Sequence, residues 1–291
     1  MTPDKLRVSP TCLSTLSTCG MQAYFRYVLG IRKPPRAVMI RGTAAHRANE
    51  ATLDSKMRTG ALLEDEEVAQ VASDALDAEW LGQEPQLDED EKALGADKVK
   101  AATKSDAISA ACAYNRYLAP AINPVRLEHF VELECGGFPF DIVGRLDVEE
   151  DRPQPASTDG APRTLRIIRD GKTSGKAIKA ESAERSVQLH FYTFCKETTG
   201  TPIDRVAFDV MQVGKRATNV YPLEVDAPHD HGALVERIER AADVFEKGAF
   251  YPVDPTGPSG WVCSEKWCGY FHDCPFGARA RTTNQRKRRK R

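Results

Sequence analysis

Residues 140–192 limit what this chain can fold into more than any other stretch. They hold FDIVGRLDVEE (140–150), TLRIIRDGKTSGK (164–176) and SVQLHFY (186–192). The first two have the pattern and length of strands, and the third opens an amphipathic helix. Side chains two apart on a strand point the same way, so Asp170 and Lys172 project together. Asp147, at the end of the preceding strand, can lie beside them. Gln188 and Tyr192 are four residues apart, on one face of the helix that follows. A strand–strand–helix unit gathers all five side chains into one small volume.

Adjacent carboxylates repel unless a positive charge lies between them. Mg²⁺ or Mn²⁺ suits Asp147 and Asp170, because hard divalent cations prefer oxygen ligands. Gly171 leaves its backbone carbonyl accessible to the same ion. An aspartate–metal–lysine group matches phosphodiester hydrolysis, in which the metal activates water and the lysine offsets developing charge. Taken alone, Asp-x-Lys on a strand also describes a surface ion pair. The order of GRLD, the apolar LRII run and the Gln/Tyr helix favours the catalytic reading.

The rest of the chain supplies the frame. Residues 9–31 predict one helix ending at Gly30, and RKPPRA (32–37) breaks the chain. Residues 39–60 predict a second helix, with Gly42 before its first turn and His46 on it. Residues 61–119 predict two helices, 64–80 and 92–118, around an acidic linker. They read either as a helical insertion beside the core or as a lid. Strands follow at 126–136, 140–150, 164–173, 205–214 and 218–226, with Gly136-Gly137 as a hairpin signal. A Pro-rich loop is expected at 152–163, and helices at 181–200 and 231–250. The fold class is α/β: a mixed sheet flanked by helices.

Composition bounds the setting. No run of 18 apolar residues and no signal-like apolar core are present, so a soluble cytoplasmic protein without membrane contact is expected. Net charge is −1, yet residues 279–291 carry eight basic residues and no acidic one. That tail is expected to be disordered and to add salt-sensitive, non-specific affinity for nucleic acid. Eight cysteines in such a setting do not predict disulfides. Cys263, Cys268 and Cys274 cluster in WVCSEKWCGYFHDCPFG (261–277), which points to metal or iron–sulfur ligation.

The motif set resembles the PD-(D/E)XK nuclease superfamily, in particular its RecB-like, AddB-type and CRISPR-associated exonucleases. The matching residues are Gly144-Arg-Leu-Asp147, Asp170-Gly171-Lys172, Gln188-Leu-His-Phe-Tyr192 and, upstream, Gly42-Thr-Ala-Ala-His46. The resemblance implies a restriction-endonuclease-like core. It implies metal ligation by His46, Asp147, Asp170 and the Gly171 carbonyl, with Lys172 as catalytic cation and Gln188 and Tyr192 positioning the substrate strand. Glu50, one turn beyond His46, is a candidate outer group.

The same relatives supply a fourth cysteine from the first helix, which here is Cys19, with Cys12 as the other candidate. A 4Fe–4S cluster on Cys19, Cys263, Cys268 and Cys274 is the implied cofactor, and a Cys₄ zinc site is its rival. One distant ligand with three clustered ones favours iron–sulfur. The expected layout is a nuclease domain over 1–278, with insertion 61–119 and cysteine-rich segment 261–277, then the tail. The expected function is metal-dependent DNA exonuclease action on single strands or ends, in recombination, repair or CRISPR spacer processing, with a recombination or CRISPR-adaptation protein as possible partner. The alternative is a cluster-stabilised DNA-end-binding subunit that cuts little.

Overall fold

A computed structural model describes residues 5–136, 140–155, 163–214 and 217–277. A short strand β1 (Leu6–Val8) leads into α1 (Pro10–Thr18) and α2 (Gly20–Ala23), which continues as a π-helical segment, Tyr24–Val28. Four helices follow: α3 (Ala37–Thr59), α4 (Asp65–Gln83), α5 (Glu89–Leu94) and α6 (Ala96–Tyr117). Then come β2 (Pro124–Leu133), β3 (Phe140–Gln154) and β4 (Arg163–Ser174). The order closes with α7 (Ala180–Glu184), α8 (Val187–Thr198), β5 (Arg205–Val213), β6 (Thr218–Asp226) and α9 (Gly232–Lys247). Strand pairing gives a six-stranded mixed sheet in the order β1-β3-β4-β5-β6, with β2 also paired to β3.

The chain divides into two compact units. One comprises Pro35–Glu132 and Gly144–His231. In it β3 and β4 are antiparallel, with Val148 opposite Arg169. The strands run further than the predicted 152–163 loop allows, with Pro153 opposite Thr164. β4 and β5 are parallel, with Asp170 beside Phe208. A parallel pair needs a crossover connection, and α7 and α8 supply it. Ser186 separates these helices, where a single helix over 181–200 is predicted, because its side chain caps α8 by accepting the Leu189 N–H. Leu189 and Phe191 are fully buried where α8 packs on β4 and β5. Burial of such side chains contributes about 1.5–3 kcal/mol each.

Small side chains set the helical layer of this unit. Ala44, Ala48, Ala107 and Ala111 are fully buried where α3, α4 and α6 pack together. Residues 61–119 do more than lie beside the core: Ala110, Tyr114 and Leu118 share one apolar cluster with Val148, Met211 and Val213. The predicted acidic linker also starts a helix, since Asp88 caps α5 reciprocally with Glu91.

The other unit comprises the described residues of Met1–Pro34, Leu133–Val143 and Gly232–Arg291. β1, too short to show a period in sequence, runs parallel to Phe140–Ile142. The single helix predicted over 9–31 is broken at Cys19, whose backbone is extended (φ −163°, ψ 116°). The cause lies at the next residue. A Cβ on Gly20 would stand 2.6 Å from the Tyr251 carbonyl oxygen, so the chain turns where only glycine fits. Gly137 of the hairpin signal and the basic tail 279–291 lie outside the described residues.

Arg169 precedes the Asp-x-Lys motif and, by strand alternation, points away from it. It is buried with a guanidinium 3.2 Å from Glu150 Oε2 and 3.1 Å from both carboxylate oxygens of Asp209. Arg152 bridges Glu150 and Glu224 beside it, and the Tyr114 hydroxyl donates to Asp209 at 3.4 Å. Removing one partner of a buried ion set leaves an uncompensated charge, which costs about 3–5 kcal/mol. Arg169→Ala is therefore expected to lower unfolding stability by about that amount in urea titrations. A loss within about 0.5 kcal/mol, the range of an ordinary surface substitution, would contradict this account of the network.

Candidate active site

The site forms where α3 meets β4. Gly42 lies inside α3, not ahead of its first turn as the sequence predicts. A Cβ there would come within 3.0 Å of Thr173 Oγ1, so glycine lets the helix approach the strand. One turn later His46 reaches the backbone of Gly171. A Cβ on Gly171 would stand 3.7 Å from His46 Nδ1 and 3.8 Å from Asp147 Oδ2. The bare Gly171 backbone is thus the floor of the site. Its N–H donates to Asp147 Oδ2 at 2.9 Å, and His46 Nδ1 lies 3.3 Å from the same oxygen.

The motif residues converge as their spacing requires. Lys172 is ion-paired with buried Asp170. Its ammonium donates to Gln188 Oε1 at 2.7 Å and lies 5.1 Å from the centre of the Phe208 ring. Gln188 Nε2 donates in turn to the Tyr192 hydroxyl at 3.2 Å. Gly144 explains the first position of GRLD: a Cβ there would sit 2.8 Å from Tyr192 Cε1. Glu50 belongs elsewhere, in an ion pair with Arg47 at 2.9 Å. His129 pairs with Glu149, and His190 lies 3.1 Å from His231, so neither joins the site.

Glu128 is a site residue that the sequence does not reveal. Its Oε1 is 2.5 Å from His46 Nε2, and its Oε2 is 3.5 Å from Arg145 Nη1. It sits in β2 with φ at +48°, a left-handed conformation rare outside glycine. Such strain costs about 1–3 kcal/mol and persists where the surroundings over-determine it. RLEHFVELECG reads as plain alternation, but Leu127, Glu128 and His129 are all partly buried. No residue type in that segment marks the break.

The electrostatics ask for a cation. Burial raises the Asp147 pKa, and the charge of Asp170 raises it further against the opposing His46, Gly171 N–H and Lys172. Burial disfavours a charged His46, but its bond to Glu128 and the fields of Asp147 and Asp170 outweigh it and raise its pKa. Burial likewise opposes ionisation of Glu128, yet His46 and Arg145 hold its pKa below the usual carboxylate value. One ligand atom each from His46, Glu128 and Asp147 lie within 4.8 Å of one another. These side chains keep 29%, 17% and 16% of their surface exposed, so solvent reaches them.

In the other unit, Cys19, Cys263, Cys268 and Cys274 line one small pocket. Phe25, Tyr270, Phe271 and Phe276 wall it, with Phe25 and Tyr270 stacked at 5.1 Å. The Val253 N–H points at Cys19 Sγ from 3.4 Å. Burial and the neighbouring sulfurs push the Cys263 thiol up to about 11. The extended backbone at Cys19 is what separates it from α1 and α2. Cys12 does not line this pocket; it is buried on α1, where burial pushes its thiol up to about 11.

Comparison with known proteins agrees in kind. No curated protein matches the chain. Among solved structures, SSO0001 is similar at 16% identity and a TM-score of 0.39, over 95% of this chain and 89% of that one. A "Putative exonuclease" from Eubacterium rectale is similar at 11% identity and a TM-score of 0.45, over 84% of this chain and 80% of that one. Neither likeness is strong enough to carry an argument. A family model of the PD-(D/E)XK nuclease superfamily, by contrast, matches residues 7–277 without leaving out either compact unit. With its mixed sheet in the restriction-endonuclease-like manner, the chain belongs to the PD-(D/E)XK nuclease superfamily.

Proposed function

We propose that the chain is a Mg²⁺- or Mn²⁺-dependent deoxyribonuclease that hydrolyses DNA phosphodiester bonds as an exonuclease on single strands or ends. The observation that carries the reading is the convergence of His46, Asp147, Asp170 and Lys172 around the open backbone of Gly171. The donors fit the cation: ligand atoms of His46, Asp147 and Glu128 lie within reach of one another on partly exposed side chains, and buried Asp170 adds its charge beside them. His46, Asp147 and Asp170 would hold it, with the Gly171 carbonyl contributing. When bound, such an ion polarises the phosphate and lowers the pKa of a water molecule.

The chain's own groups do the rest. Lys172 is held between Asp170 and Gln188, so its ammonium is fixed beside the place where negative charge grows on phosphate. Gln188 accepts from Lys172 with its oxygen, which turns its amide nitrogen toward Tyr192. Burial raises the Tyr192 pKa and keeps it a neutral phenol. This pair positions Lys172 and lines the path of the substrate strand. Recombination, repair or CRISPR spacer processing would use such an activity, in company with a protein of that pathway.

The thiol pocket supports a 4Fe–4S cluster on Cys19, Cys263, Cys268 and Cys274. Four sulfurs share one aromatic-walled pocket with an N–H aimed at one of them, a donor set that suits iron–sulfur ligation. Burial makes a lone thiolate there unfavourable, and ligation removes that cost. The cluster would act as a staple between the two ends of its unit.

Two measurements test these readings. Lys172→Ala is expected to slow Mn²⁺-dependent cleavage of labelled single-stranded DNA by about 100- to 1,000-fold, the scale of losing one charge-stabilising donor. Unchanged cleavage would remove Lys172 from the mechanism. Anaerobically purified protein should be brown with broad visible absorbance and contain iron and sulfide. Cys268→Ser should lose the colour. A colourless, zinc-containing protein would replace the cluster with a zinc site.

A further inference from the structure

We propose that Glu128 is a positioning residue that fixes the tautomer of His46, so that His46 offers Nδ1, not Nε2, to the bound cation. The inference rests on the metal-dependent reading of the site. A neutral imidazole has one donor and one acceptor nitrogen. His46 Nδ1 faces the floor of the site, 3.3 Å from Asp147 Oδ2 and next to the Gly171 backbone. His46 Nε2 faces Glu128 Oε1 at 2.5 Å. A proton held on Nε2 by a carboxylate leaves the Nδ1 lone pair directed at the acidic floor.

Both oxygens of Glu128 are engaged, one by His46 and the other by Arg145 at 3.5 Å. That argues for an orienting role over direct ligation. The backbone points the same way. Glu128 is held at φ +48° within a strand, and that local distortion is what delivers its carboxylate to the imidazole. Among the described residues, only Glu84 shares a positive φ without being glycine, and it ends a helix. Arg145, one residue into the Gly144–Asp147 motif, ties Glu128 to the same strand that carries Asp147.

The test uses Mn²⁺ binding by calorimetry on the full chain, with wild type, Glu128→Gln and Glu128→Gly. Glycine adopts φ +48° without strain, so Glu128→Gly removes the carboxylate and spares the fold; thermal unfolding checks this. Removing the partner of a ligating histidine costs about 10- to 100-fold in metal affinity. Glu128→Gly is expected to weaken Mn²⁺ binding by that factor. Glu128→Gln keeps an oxygen for Nε2–H and is expected to stay within about threefold of wild type, well short of that loss. Nitrogen-15 shifts of the Mg²⁺-loaded wild-type protein should place the His46 proton on Nε2. If Glu128→Gln binds as weakly as Glu128→Gly, the carboxylate is a ligand and the proposal fails. It also fails if Glu128→Gly matches wild type or if the proton sits on Nδ1. A wild type that binds no Mn²⁺ is a separate result: it overturns the metal centre itself, and this proposal with it.

Discussion

The site depends on how closely α3 can approach β4. Gly42 and Gly171 sit at the two sides of that approach, and a Cβ on Gly42 would press on Thr173. With no side chain at Gly42, the helix brings His46 against the strand backbone at Gly171, where a Cβ would make only ordinary contact. Asp147 then meets both the imidazole and the Gly171 N–H. A helix held further away by one methyl group would leave the carboxylates of β3 and β4 without the histidine. Gly42 therefore helps to place His46, although it has no side chain of its own to offer.

β4 carries charge on both faces, and the two faces solve the problem of burial differently. On one, Arg169 is enclosed by Glu150, Asp209 and Glu224, which lie within ion-pair distance of its guanidinium. On the other, Asp170 has Lys172, while Asp147, Glu128 and His46 crowd one another and shift each other's protonation. The first arrangement is closed and structural. The second is partly open to solvent and gathers three carboxylates, a setting that suits a divalent cation. The same strand thus carries the buried ion network on one face and the motif residues of the candidate site on the other, kept apart by strand alternation.

How much of this was legible in the sequence follows from the range of each signal. Asp170, Lys172, Gln188 and Tyr192 are set by spacings of two and four residues, so their convergence can be read directly from the chain. His46 is far away in sequence, and only the Gly-x-x-x-His resemblance draws it in. The break at Cys19 depends on the backbone of Tyr251, which no local pattern near residue 19 announces. The core role of α6 was hidden because Ala110 and Tyr114 face strands that come much later in the chain. β1 is three residues long, below the length at which alternation means anything.

Glu128 shows a different kind of illegibility. Its segment has strand composition and strand spacing, and both are correct. The informative fact is a single backbone angle that breaks the alternation for one residue. A left-handed glutamate is unfavourable by itself, so the conformation has to be held by what surrounds it. Here the carboxylate is held at both oxygens, by an imidazole from α3 and a guanidinium from β3. His46 belongs to the candidate site, and Arg145 lies two residues before Asp147 on β3. The strain in β2 and the order of the site are therefore the same interaction seen from two sides: the contacts that fix His46 are also what keep Glu128 in a conformation its own sequence would not choose.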